Sequence, residues 1–177
     1  MLHPRQHEVP SKKKKKLEIL KLEELCCICV ANNLDRLTPG SFSFLEEYFV
    51  KLLFNKCLEM GKLNSSTIKL FLDTRLEELV IDGSISMEQK NSTQSLRSVT
   101  LDTKCDNIKR VCFTGNHHLE QIYVEGAPVE RIEIDHCTHI GFAFIDAPRL
   151  RFLNLELNFL NNQNGSIQFT SIPRQYL

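Results

Sequence analysis

The chain has no net charge: 22 basic and 22 acidic side chains cancel over 177 residues, so no global field draws it to nucleic acid or to a membrane surface. It lacks any apolar run near the eighteen or so residues that cross a bilayer. Its apolar stretch Leu25 to Ala31 follows Glu18, Glu23 and Glu24, which spoil it as a signal-peptide core. No G-x-S-x-G, glycine-rich phosphate loop or H-E-x-x-H occurs, and seven glycines leave few places for a backbone cradle, so no enzyme is expected. The cysteines number seven, an odd count, and lack the paired spacing of a disulfide framework or a zinc site. Reduced thiols in a soluble intracellular protein follow as the expectation, cytoplasmic, or nuclear if the lysine run described below acts as an import signal. His117, His118, His136, Cys137 and His139 lie close in sequence. A zinc ion would need four ligands converging on one point, and turn positions tolerate such polar residues anyway, so neither metal nor cofactor is expected.

The charge is present but uneven. Residues 1 to 16 hold Arg5 and Lys12 to Lys16 against Glu8 alone, a net of +5, which leaves −5 on the remainder. With Pro4, Pro10 and Ser11 this arm has no apolar periodicity to offset the entropy of ordering it, so it reads as a disordered basic tail. A run such as PSKKKKK serves as a solubilising tail or, alternatively, as a nuclear-import signal.

Residues 17 to 62 carry helical periodicity. From Leu17 to Leu37 the residues Leu22, Leu25, Cys26, Cys29, Val30, Leu34 and Leu37 recur at steps of three and four, which predicts one amphipathic helix with those side chains on one face. Thr38, Pro39, Gly40 and Ser41 break it. A second helix is expected from the Ser43/Glu46 capping box, the pairs Phe44/Leu45, Tyr48/Phe49 and Leu52/Leu53, and a stop at Gly61. The segment from Leu63 to Asp73 reads as a junction.

After residue 75 the periodicity switches to two, in short bursts: LEELVI, LRSVTL, IKRVCF, LEQIYV, VERIEI, IGFAFI and LRFLNL. The last five form two interleaved rows, one starting at Ile108, Val129 and Leu150 and the other at Leu119 and Ile140, each stepping by 21 residues. The first row fits L-x-x-L-x-L-x-x-N/C, ending in Asn116, Cys137 and Asn158; the second has Ala127 and Pro148 at that place. The expected fold is therefore α+β: an N-terminal helical pair followed by a short leucine-rich-repeat solenoid over residues 63 to 160 with coils of about 21 residues, and a C-terminal cap or tail at 161 to 177. The first row would line the concave face, and the second would be extended structure on the convex side. Side chains alternate across a strand, so Arg110, Cys112, Thr114, Arg131, Glu133, Asp135, Phe152, Asn154 and Glu156 would point outward and offer a surface for a protein substrate.

LEELCCICV also fits the L-x-x-x-C-x-x-x-aliphatic pattern of the VHL box through Leu22, Cys26 and Val30, three side chains one helical turn apart. The order LEELCCICVANNLDRL, PG, FLEEYFVKLL, GKLNSSTIKLF and then leucine-rich coils resembles the N-terminal half of the Zyg-eleven and Zer-one receptor family, over roughly residues 20 to 160. The resemblance implies a substrate adaptor of a cullin-RING ubiquitin ligase. In that role Leu22, Cys26 and Val30 would bind elongin C, itself paired with elongin B, and Phe44, Leu45, Tyr48 and Leu52 would bind a cullin. Leu45 stands where the family's cullin box has proline. The armadillo-like repeats of larger members, which read N-terminal degrons, have no room within the 177 residues. The short alternating coils also resemble those of F-box proteins with leucine-rich repeats, a likeness that implies the same role. The competing expectation is a non-catalytic scaffold unrelated to ubiquitin, whose helical pair merely covers the apolar end of the first coil. Neither expectation includes a specific nucleic-acid or membrane partner.

Overall fold

The computed structural model describes residues 21–83, 96–156 and 166–169. The basic arm, residues 17–20, Asn158 and most of the expected C-terminal cap or tail lie outside the described residues. The described residues are α+β: helices and turns between residues 21 and 72, and then two parallel sheets. Among the described residues no helix is long and apolar enough to cross a membrane.

The single helix expected over 17–37 is two shorter pieces: α1 (Leu22–Ala31) and a 3-10 turn at Leu34–Arg36. The break falls at Asn32-Asn33, because Asn33 turns its side-chain amide back to donate to the Cys29 carbonyl at 2.8 Å, in competition with the helix ladder. The capping box is also corrected. Ser43 Oγ donates to the Gly40 carbonyl at 2.8 Å, and successive turns carry the chain to Glu46, so α2 (Glu47–Glu59) starts without a side-chain cap. Those turns are held by Phe42, which is buried with its ring centroid 5.2 Å from that of Phe71. The Gly61 stop holds: with φ at 62° it lets Lys62 donate to the Cys57 carbonyl and Gly61 to that of Leu58, the two bonds of a Schellman motif.

The junction contains a short helix, α3 (Lys69–Leu72), with Leu70, Phe71 and Leu72 all buried. Phe54 of α2 meets the Phe71 ring edge-on at 5.2 Å. One continuous apolar core joins these helices to the strands.

The strands are β1 (Glu78–Asp82), β2 (Ser98–Leu101), β3 (Arg110–Thr114), β4 (Gln121–Glu125), β5 (Arg131–Asp135), β6 (Phe142–Asp146), β7 (Phe152–Glu156) and β8 (Ser166–Phe169). Odd strands form one four-stranded parallel sheet and even strands another, each in chain order. The two interleaved rows of the sequence are thus two sheets, with the chain visiting each once per coil. The early bursts LEELVI and LRSVTL supply the end strands β1 and β2. The return path is a regular sheet rather than merely extended chain, and β8 carries the pattern past residue 160 by pairing with β6.

Strict register turns the alternation into ladders. Leu79, Val111 and Ile132 stack inward, as do Ile81, Phe113 and Ile134, all buried; in the second sheet Val99, Ile122 and Ala143, then Leu101, Val124 and Ile145, do the same. Each coil also repeats one backbone device. The carbonyl just before a strand accepts two amides from the next coil: Lys109 O from Glu130 and Arg131, and Arg97 O from Glu120 and Gln121. At the helical end the Ser65 hydroxyl takes this part, accepting from Arg97 N at 3.3 Å and Ser98 N at 3.0 Å. It satisfies strand amides that have no preceding coil to bond.

Asn116 and Cys137, 21 residues apart, follow equivalent strands of successive coils and both make hydrogen bonds to backbone groups. Asn116 is buried and its Oδ1 accepts from His118 N at 3.1 Å; the Cys137 thiol reaches the carbonyls of Phe113 at 3.6 Å and Asp135 at 3.4 Å. Burial pushes the Cys137 thiol up to about 11, which keeps it a neutral donor. One residue earlier the chain turns through positive φ, at Gly115 in one coil and at His136 in the next.

Candidate interaction surfaces

α1 carries two apolar stripes at helical spacing. The inner one, Cys27 and Ala31 with partly buried Val30, continues to Leu34 and packs into the core. The outer one is Leu22, Leu25, Cys26 and Cys29, all exposed, Leu22 at 77% and Leu25 at 45%. The seven residues expected on one helix face are therefore divided: Leu22, Leu25, Cys26 and Cys29 face solvent, while Val30, Leu34 and Leu37 pack against the core. Cys27 and Ala31 are compact enough to let α1 lie close on α2, whereas bulkier Leu22 and Leu25 are left outside.

Polar contacts hold α1 on α2 in this orientation. Lys56 Nζ of α2 binds Glu24 at 3.0 Å and Glu59 at 2.7 Å, and Tyr48 Oη donates to Glu23 at 3.3 Å. The hydrogen bonds to Glu59 and then to Glu24 raise the Lys56 ammonium above its ordinary value. Lys21, Leu52 and Asn55 complete the lining of the groove between the two helices.

Of the three residues expected to bind elongin C, Leu22 and Cys26 face solvent, and Val30 is half-buried at the edge of the core. Of the four expected to bind a cullin, Phe44 and Tyr48 are exposed, at 77% and 58%, while Leu45 and Leu52 are partly buried against the core. The structure adds Phe49, exposed, with its ring 5.2 Å from that of Tyr48. The pair Tyr48/Phe49 is visible in the sequence, but helical spacing alone does not say which apolar side chains stay outside. The exposed apolar residues of α1 and of the start of α2 belong to the two outer helix surfaces, and none of Leu22, Leu25, Phe44 or Tyr48 is consumed in covering the first coil.

Compared with known proteins, the chain matches no family model, no curated protein and no solved structure. Its surfaces therefore have to be read from their own chemistry.

The second surface is the outer face of the odd-numbered sheet. Register sets Arg110 beside Arg131 and Phe152, Cys112 beside Glu133 and Asn154, and Thr114 beside Asp135 and position 156. All nine expected positions thus fall in three rows on one sheet face. Arg110 and Arg131 are like charges on neighbouring strands, which is unfavourable by itself. Glu133 resolves this by accepting from Arg131 Nε at 2.6 Å and from Arg110 Nε at 3.0 Å, while Arg110 also reaches Glu78 at 3.4 Å. Arg131 lies over the Phe152 ring, 4.0 Å from its centroid. The face is thus pre-ordered, with its charges paired across strands.

The hydrogen bond from Arg131 foremost, and that from Arg110, hold the Glu133 carboxyl below its ordinary value of 4.5. A carboxyl depressed in the folded state contributes stability that is present above its unfolded value and lost as pH falls through the folded one. Glu133→Gln should therefore lower stability by about 1–2 kcal/mol at pH 7, a range set by charge-assisted bonds at a site of modest exposure. The difference should shrink as pH falls below 4.5 and vanish once Glu133 is protonated in both states. Urea denaturation across this range checks it; a difference independent of pH would remove the carboxylate from the explanation.

The second sheet bears an outward aromatic group that the period-2 pattern does not single out. Tyr123 and Phe142 have ring centroids 5.2 Å apart, and register puts Phe144 beside Tyr123. As for a metal, among the described residues no three His, Cys, Asp or Glu side chains converge as one would need. His117 instead pairs with the Thr138 hydroxyl at 3.1 Å.

Proposed function

We propose that the chain is a non-enzymatic adaptor: the outer face of α1 docks elongin C, the exposed aromatics Phe44, just before α2, and Tyr48, on it, approach a cullin, and leucine-rich-repeat coils present a protein substrate on the odd-numbered sheet. The observation that carries this reading is that Leu22 and Cys26 are exposed on a helix whose other stripe already supplies the packing. An amphipathic helix that has spent one face on its own core and still shows leucines on the other is built as a groove ligand. The scaffold alternative needs only the inner stripe, and it leaves the outer one without a role.

The substrate surface follows from pre-ordering. Arginines fixed by Glu133 and an aromatic ring stacked under one of them present a mixed-charge face at little further entropy cost, which suits a protein partner. Ligase chemistry would reside in the partners.

Co-purification from cell lysate tests the docking. Wild-type chain should recover elongins B and C, and Leu22→Ser combined with Cys26→Phe should lose them while the thermal unfolding midpoint stays within a few degrees, since neither side chain is in the core. Equal recovery by the variant would remove docking from this face.

A further inference from the structure

In the odd-numbered sheet one guanidinium is held by two groups of different kinds. Arg131 lies over the Phe152 ring, 4.0 Å from its centroid, and donates through Nε to Glu133 at 2.6 Å. A ring face and a carboxylate each attract the cation, and their directions are compatible because a guanidinium stacks through its face and donates from its edge.

The groove between α1 and α2 presents the same two acceptors with no cation seated on them. It encloses about 350 Å³, at the small end of the range for ligand sites, which suits a single side chain. Its charged side chains are Glu23, Glu24, Glu59, Lys21 and Lys56, three carboxylates against two ammoniums, a net of −1. Lys56 is committed to Glu24 at 3.0 Å and Glu59 at 2.7 Å. Glu23 is different: it accepts from a neutral donor, the Tyr48 hydroxyl at 3.3 Å, and among the described residues no cation, Lys21 included, lies within ion-pair distance of it. Tyr48 is 58% exposed, so ring surface stays open beside that carboxylate, and half-buried Leu52 adds an apolar wall on which a methylene stem can lie.

We propose that this groove binds an arginine side chain of a partner protein, its guanidinium stacked on Tyr48 and hydrogen-bonded to Glu23. Charge complementarity selects a cation, and the pairing of ring with carboxylate selects arginine over lysine, whose compact ammonium is more strongly hydrated and has no planar face to stack. The site is ordered beforehand. Tyr48 already orients Glu23, and the bonds of Lys56 tie α1 to α2, so little freedom is lost on binding. The inference goes beyond the adaptor reading and needs neither elongin nor a cullin. To a protein seated on the apolar outer stripe of α1 it would add a contact that discriminates by charge.

Titration of the full chain with N-acetyl-arginine amide, followed by backbone and aromatic chemical shifts, tests the proposal. Shifts should centre on Glu23, Tyr48 and Leu52 and saturate with a Kd of about 1–10 mM, the strength two such contacts supply. N-acetyl-citrulline amide, nearly the same shape without the charge, should bind at least about tenfold more weakly, and Glu23→Gln should weaken arginine binding by a similar factor. Glu23 is exposed, so this variant keeps the fold, and Glu125→Gln on the second sheet should bind as wild type does. Shifts that do not saturate or that centre elsewhere, equal binding of the citrulline probe, or a Glu23→Gln chain indistinguishable from wild type would each overturn the proposal. No elongin enters this titration, so failure here and failure of the docking test are separate outcomes.

Discussion

Phe113→Ala is expected to cost about 3–5 kcal/mol, the range for truncating a fully buried aromatic whose site cannot collapse. Phe113 is 0% exposed, and its register neighbours are Ile81 and Ile134. Closing the void would require the coils to approach, yet parallel ladders on both sheets fix them about 4.8 Å apart. The Phe113 carbonyl also accepts the Cys137 thiol, so movement of this strand would disturb the turn of the next coil. Urea denaturation should show the loss as a lower midpoint at similar slope. Phe152→Ala, on the outer face of the same sheet, should cost less than about 1 kcal/mol, chiefly its contact with Arg131. Similar costs for the two would mean that the inner and outer faces of the sheet are misassigned.

The second large effect is expected at a glycine. A Cβ on Gly83 would lie 2.6 Å from the Gly115 carbonyl carbon and 2.8 Å from the Asn116 Cα, both backbone atoms of the next coil. Flexible side chains could step aside, but this backbone is held by the β1–β3 ladder that ends at Asp82 and Thr114. Gly83→Ala should therefore cost about 1–3 kcal/mol, as overpacking does, and more if the end strand β1 detaches. Gly141→Ala is the matched control, since nothing lies within 4 Å of its Cβ; it should stay within about 0.5 kcal/mol of wild type. Thermal unfolding of the two variants side by side checks the contrast, and a neutral Gly83→Ala would deny the close approach of the first two coils.

What was legible in the sequence and what was not differ in the range of the interactions responsible. The period-2 bursts marked the strands because alternation is a local consequence of the pleat, and the step of 21 residues from Ile108 to Val129 to Leu150 carried register as well. The nine positions on the outer face of the odd-numbered sheet followed from that arithmetic. Ser65 could not, because its acceptor role depends on Arg97 and Ser98 arriving from more than thirty residues away. The Ser43/Glu46 signal misled for a related reason: burial of Phe42 against Phe71 keeps the chain turning where local rules would start a helix. In α1 helical spacing put Leu22, Leu25, Cys26, Cys29, Val30, Leu34 and Leu37 on one face, but it could not show that the chain would break at Asn32-Asn33. Tertiary fit buries Cys27 and Ala31 instead and leaves Leu22 and Leu25 exposed.

Docking is probed most closely by the rate at which a small thiol reagent modifies Cys26 in the purified full chain, read residue by residue by mass spectrometry, with and without purified elongin B–C. Modification of Cys26 should be fast in the free chain, because it is exposed, and slower by about tenfold or more in the complex, where a groove would cover the stripe. A Cys26 rate unchanged at saturating elongin B–C would rule out docking through this face.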